Sequence, residues 1–248
     1  MLGHLSFRVN DLDRANRQPL GRLATASRSP EPAMSQEPLV PTHLPSMEMI
    51  SGWPRFTPER PLRILVSGCL AGLGVGADGS SYGTHPHIAA LIRLPNVKAT
   101  PFCPEHFSFG TPRSVCDIHG GSGHDVLAGR ARVLTPKGED WTDGMVAAAH
   151  EMLRIARESH ADLAILMDMS AACGSQVIHN GPRPDAPYQA AQGVCAALLV
   201  QAGIAVVSQR DFKTLDRIRC KLDPGRKPTP ALRDHHETEW YRGCFPAA

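Results

Sequence analysis

From residue 62 onward, short apolar runs alternate with amphipathic stretches, the pattern of a parallel sheet wrapped by helices. Residues 63–67 (Arg-Ile-Leu-Val-Ser) read as a first buried strand, 97–102 as a second, 162–167 as a third and 204–208 as a fourth. Helical patterns lie between and after them. Thr84 and Pro86 open one that runs to about residue 93, a hydroxyl N-cap followed by a proline whose missing N–H costs nothing in the first turn. A second covers 142–159, where Met145, Ala148, Ala149, Met152, Ile155 and Ala156 recur at spacings of three and four and form one apolar stripe. A third covers 190–201 and stops before Gly203, and a shorter one runs from 211 toward 222. The polar, glycine-rich stretch 103–129 shows no period, and 130–134 reads as a small extra strand. The expected class is α/β, a Rossmann-like open, mostly parallel sheet with helices on both faces.

The two ends lack this texture. Residues 1–60 are rich in Pro, Ser and Arg without a sustained period, and read as a disordered leader or as the product of a misassigned start, with Met34, Met47 and Met49 as later starts. Pro224, Gly225, Pro228 and Pro230 mark a loop-like tail after the last helix. The organisation expected is therefore a leader over 1–60, one α/β domain over 61–210, and a C-terminal helix and tail over 211–248.

Composition narrows the function. A formal net charge of +2 with both signs well mixed offers no basic stripe for a phosphate backbone, so no nucleic acid is indicated as a partner. The longest apolar stretch, 194–208, is broken by Gln201 and Gly203 and falls short of the roughly 18–20 residues that span a bilayer, so no membrane segment is expected. The N-terminus builds no signal-peptide core, and Asp11 and Asp13 argue against a transit peptide, which makes the expected location cytoplasmic. In that compartment seven cysteines, an odd number, suggest metal binding or chemistry more than disulfides. No Cys-x-x-Cys pair occurs, so ligands must converge from distant positions.

Three cysteines share one address at the carboxyl end of a strand: Cys69 after the first, Cys103 at the end of the second and Cys173 in the loop after the third. Loops at this edge of an open α/β sheet are where ligands bind, and Gly or Pro beside each cysteine suits irregular backbone near an inorganic group. The alternative for all three is a small buried hydrophobe. Cys195, on an apolar helical face, reads as core; Cys220 and Cys244 lie in the charged C-terminal region without a shared role. Cys116, with Asp117, His119 and His124 close by in sequence, reads as part of a polar loop or, alternatively, of a metal site.

These motifs carry a resemblance. Residues 62–208 resemble the bacterial 2-thiouracil desulfidases (domain of unknown function 523): Ser67-Gly68-Cys69-Leu70-Ala71-Gly72 with Asp78-Gly79, then Cys103-Pro104-Glu105 with Thr111-Pro112-Arg113, then Ser170-Ala171-Ala172-Cys173-Gly174. The resemblance implies a [4Fe-4S] cluster on Cys69, Cys103 and Cys173 with one iron free of protein ligands. It also implies a small-molecule thiolated substrate, a heterocycle like 2-thiouracil, whose sulfur binds that iron and leaves as sulfide by hydrolysis without redox change. Glu105 would orient or deprotonate the water. The family commonly carries a serine with a catalytic role five residues before the third cysteine, where this chain has Asp168, so Asp168 is the second catalytic candidate. A basic and an aromatic residue usual before Asp-Gly are here Gly76 and Ala77. An iron or oxygen sensor without turnover, and a thiol redox enzyme with Cys116 as resolving partner, are the competing expectations.

Overall fold

In chain order the computed structural model contains α1 (Met47–Gly52), β1 (Leu62–Ser67), α2 (Pro86–Ile92), β2 (Val97–Phe102), α3 (Pro104–Phe109), β3 (Asp117–His119), α4 (Gly123–Leu127), β4 (Arg132–Leu134), α5 (Thr142–Glu158), β5 (Leu163–Leu166), β6 (Val177–His179), β7 (Tyr188–Ala190), α6 (Val194–Gln201), β8 (Ala205–Ser208), α7 (Phe212–Leu222) and α8 (Glu239–Cys244). It describes residues 43–83, 85–182 and 187–246, all within the unit Glu37–Ala248. β1, β2, β5 and β8 form a parallel sheet in the order β2-β1-β5-β8, and two short antiparallel pairs, β3 with β4 and β6 with β7, stand outside it.

Alternation along the strands builds a core on each face. Ile64, Val66, Leu163, Ile165 and Val207 point to one side and pack with Ile88 and Leu91 of α2, with Leu215, Ile218 and Leu222 of α7, and with Ile50 of α1. Leu65, Ala164, Leu166 and Val206 point to the other, against the α5 stripe and the apolar α6. Each fully buried aliphatic side chain contributes about 1.5–3 kcal/mol, so the two clusters hold helices to both faces of the sheet as expected. The strand order reverses between β1 and β5, and the loops leaving their carboxyl ends open a crevice at that point.

The structure departs from the sequence reading in four places. The expected leader joins the core from its last part: Leu44 and Ile50 are buried, Ser46 caps α1, and the His43 carbonyl accepts from the Val206 N–H on β8. Residues 1–42, and the capping role expected of Thr84, lie outside the described residues. The stretch 103–129 holds α3, β3 and α4, elements too short for a period to show. The helix expected over 190–201 starts at Val194, because Tyr188–Ala190 pairs with β6. The tail is not a plain loop: Asp234, His235 and His236 are buried, and α8 follows.

Candidate active site

Cys69, Cys103 and Cys173 line one cavity of about 210 Å³ at this crevice, together with Ser67, Tyr82, Glu105, Arg113 and Ser170. Cys69 sits in a tight turn after β1, where the Leu70 and Ala71 N–H groups fold back on the Ser67 carbonyl. Gly68 lets the first two cysteine loops close up, since a Cβ there would lie 3.1 Å from Val75 and 3.5 Å from the Cys103 Cβ. Cys103 is the N-cap of α3, its Sγ accepting the His106 N–H at 3.4 Å, with Pro104 in the first turn where its missing donor does no harm. Cys173 lies in a loop whose Ala171 and Ala172 carbonyls accept from the Val194 and Cys195 N–H groups of α6 at 2.9 Å.

Burial pushes the Cys69 thiol up to about 12, with Cys103 adding to the rise, and burial likewise raises Cys103. Cys173 is driven well above the ordinary thiol value by burial, against a hydrogen bond from Ser67. Without a bound cation the three stay protonated, so they are poor nucleophiles but a soft donor set for a metal that displaces the protons. Among the described residues no group of three Cys, His, Asp or Glu side chains is placed to hold a single ion. Three sulfurs on separate loops around one cavity suit a polynuclear iron–sulfur group instead, whose irons are normally held by cysteine.

Glu105, in the first turn of α3, and Asp168, after β5, both line this cavity. Arg113 binds Oε2 of Glu105 through Nη2 at 3.0 Å and Nε at 3.3 Å, with the Arg113 side chain only 3% exposed. The same guanidinium donates to the Val75 and Gly110 carbonyls and approaches the Cys103 sulfur at 4.0 Å. Oε1 of Glu105 accepts from the Ser170 hydroxyl at 3.1 Å. Ser170 Oγ in turn accepts the Ala172 and Cys173 N–H groups, which ties the carboxylate to the third cysteine loop.

Asp168, the second catalytic candidate, lines the same cavity with a buried carboxyl. Its side chain is 0% exposed. Oδ1 accepts the N–H groups of Ser175, Gln176 and Val177, and Oδ2 accepts from Ser208 Oγ and His235 Nδ1. Burial raises its pKa, but the bonds from His235 and the backbone outweigh that and hold the carboxyl below its ordinary value. These five contacts tie the carboxylate to the loop after Cys173, to β8 and to the C-terminal segment. The serine that reaches Glu105 stands three residues before Cys173, not five.

Sequence reasoning also missed Tyr82. Its phenolic oxygen accepts the Ala77 N–H at 2.7 Å, and a Cβ on Gly76 would come within 2.9 Å of its ring. A Cβ on Gly76 would also lie 2.7 Å from the Ser80 carbonyl, so this turn keeps Gly76 bare, and an aromatic wall reaches the cavity from five positions downstream of Ala77. Tyr82 is held at φ +54, a costly conformation for a non-glycine residue and a frequent one at ligand clamps. The Cys116 alternatives resolve toward the core: Cys116 is buried among apolar residues, and both ring nitrogens of His124 are taken by Gln192 and Gln201. Cys195 is core as expected, and no disulfide joins the seven cysteines.

The fold and cavity define an α/β protein with three cysteines and a clamped carboxylate at the sheet switch point. The 2-thiouracil desulfurase family model matches residues 64–211, well over half of the chain, and the chain belongs to that family. A curated Bacillus subtilis (strain 168) protein, uncharacterized protein YbbK, is 39% identical over 153 residues, covering 61% of this chain and 99% of that protein. A solved structure, the [4Fe-4S]-dependent thiouracil desulfidase TudS, is similar at 32% identity over 59% of this chain and 89% of its own, with a TM-score of 0.47.

Proposed function

We propose that this protein removes sulfur from a small, flat thiolated heterocycle of the 2-thiouracil type, exchanging C=S and water for C=O and hydrogen sulfide without net redox change. Cys69, Cys103 and Cys173 would hold a [4Fe-4S] cluster. When bound, that group supplies a thiophilic iron for the substrate's sulfur. The observation that carries the reading is the position of Glu105, which lines the cavity with the three thiols while Arg113 and Ser170 fix both of its oxygens.

The chain's own residues supply the rest. Arg113 saturates Oε2, which orients the carboxylate so that Oε1, shared with Ser170, takes the proton of an attacking water. Its positive charge also lies beside Cys103 and favours the anionic form of that sulfur. Tyr82 offers a ring face for a planar substrate, and its O–H proton remains available to donate because the oxygen accepts from Ala77. A cytoplasmic location, where thiols stay reduced, goes with this chemistry; no described helix is long and apolar enough to cross a membrane. Anaerobic reconstitution followed by iron and acid-labile sulfide analysis tests the ligand set. Four irons per chain are expected, lost on alanine substitution of Cys69, Cys103 or Cys173 and kept on substitution of Cys220 or Cys244. Loss of the cluster with Cys244→Ala, or its persistence in all three ligand variants, overturns the assignment.

A further inference from the structure

The C-terminal segment beyond residue 211 lies outside the part of the chain that matches the family, yet it reaches the back of the active site. We infer that His235 is a positioning residue, which fixes the Cys173 loop through the buried carboxylate of Asp168. The inference rests on Cys173 as a cluster ligand.

His235 Nδ1 donates to Asp168 Oδ2 at 2.7 Å, both side chains being essentially excluded from solvent. The other oxygen of Asp168 gathers three successive amides, Ser175 at 3.0 Å, Gln176 at 3.2 Å and Val177 at 3.1 Å. Those amides leave Cys173 through Gly174, so the carboxylate sets the curvature of the chain directly after the thiol. A buried carboxylate gathers amides most strongly while it stays ionised, and removing its partner leaves a charge that is costly without compensation. Among the described residues, only the Ser208 hydroxyl joins the His235 ring on the same oxygen.

A second tether runs in parallel. The His235 N–H and the Gln176 side chain both donate to Asp211 Oδ1, at 3.1 and 2.6 Å. The histidine itself is held on three sides. Trp240 stacks on its ring at 5.3 Å between centroids, Tyr241 meets it edge-on at 5.5 Å, and the preceding Asp234 takes the N–H and hydroxyl of Thr214 in the first turn of α7. A tail that merely covered apolar surface would not need a buried ring nitrogen aimed at a buried carboxylate.

Conservative variants of the full-length protein test this. His235→Asn keeps a donor near the position of Nδ1, whereas His235→Gln moves it outward and His235→Phe removes it while keeping a ring. In the Gln and Phe variants, hydrogen exchange at the amides of 175–177 should accelerate at least tenfold in folded apoprotein, with strand β2 unchanged. Chelator-driven iron loss from the reconstituted protein should accelerate by about 10-fold or more, the usual scale for a group that orients a ligand. The Asn variant should recover both. In an Asp168→Asn background, His235→Gln should add less than twofold, since the path runs through the carboxylate. The Gln variant folds or fails independently of the Phe variant, and local protection and iron loss equal to wild type in it overturn the role. If the amides respond but no cluster can be reconstituted in wild type, the positioning stands and the reading of Cys173 as a ligand falls.

Discussion

Replacing Glu105 by glutamine separates catalysis from architecture. The amide can keep an oxygen toward Arg113, whose Nη2 and Nε now meet the carboxylate at 3.0 and 3.3 Å. Its nitrogen then faces Ser170, which already accepts two backbone N–H groups and must turn its own proton elsewhere. The ion pair with a side chain only 3% exposed becomes a bond from a guanidinium to a neutral amide oxygen, a loss of about 1–2 kcal/mol of stability. Glu105→Ala is harsher. It leaves a buried guanidinium without its counter-ion, which costs about 3–5 kcal/mol for a fully buried pair, and the lower end applies because Glu105 is 18% exposed. The chemical step should respond differently: loss of a general base lowers the rate about 100-fold or more, equivalent to about 2.7 kcal/mol of barrier. Sulfide release by anaerobic Glu105→Gln, normalised to iron content and read beside a thermal melt, gives both numbers. Wild-type turnover in a variant with full cluster would refute the base assignment, and lost cluster with lost turnover would make Glu105 a structural group.

Three further outcomes follow from the packing. A chain starting at Glu59 lacks the buried Leu44 and Ile50, worth up to about 3–6 kcal/mol together, so its melt should fall well below that of a chain starting at Thr42; equal midpoints would contradict the packing. Gly193→Ala would set a Cβ 2.6–2.7 Å from the carbonyls of Ser170, Ala171 and Ala172, so it should displace the Cys173 loop and lower iron uptake at least tenfold, and normal uptake would contradict it. Burial lowers His43 from 6.5 to about 4, against the pull of Asp168, so the folded state prefers it neutral. Its contribution is complete above pH 6.5 and is lost as pH falls toward 4, by at most about 3 kcal/mol. In urea titrations across that window, His43→Gln should show a flatter acid limb, and parallel limbs would refute the assignment.

How far the sequence disclosed this molecule depended on the range of the interaction concerned. The four parallel strands and the α5 stripe were legible because burial imposes a period that neighbouring residues carry themselves. The three cysteines were legible because each follows a strand, and topology brings strand ends together. Arg113 and Ser170 stood inside recognised motifs, but their roles depend on contacts of eight and sixty-five residues' separation to Glu105. The surroundings of Asp168 were illegible for the same reason: its partner His235 is sixty-seven residues away, in a tail whose prolines read as loop. Tyr82 left no periodic signal, since its place beside Gly76 is set by a loop conformation. Ser170 could have been found from its spacing, because a serine two and three residues before backbone N–H groups commonly accepts from them.

The most direct measurement follows the oxygen and sulfur atoms together. Anaerobically reconstituted protein is given 2-thiouracil in water enriched in oxygen-18, and sulfide and uracil are quantified by colorimetry and mass spectrometry. One sulfide for each uracil, with the heavy oxygen in the product and no reaction in Cys69→Ala, is the expected result. A fully loaded cluster that turns over neither 2-thiouracil nor related thiolated heterocycles would contradict the account and leave a sensor in its place.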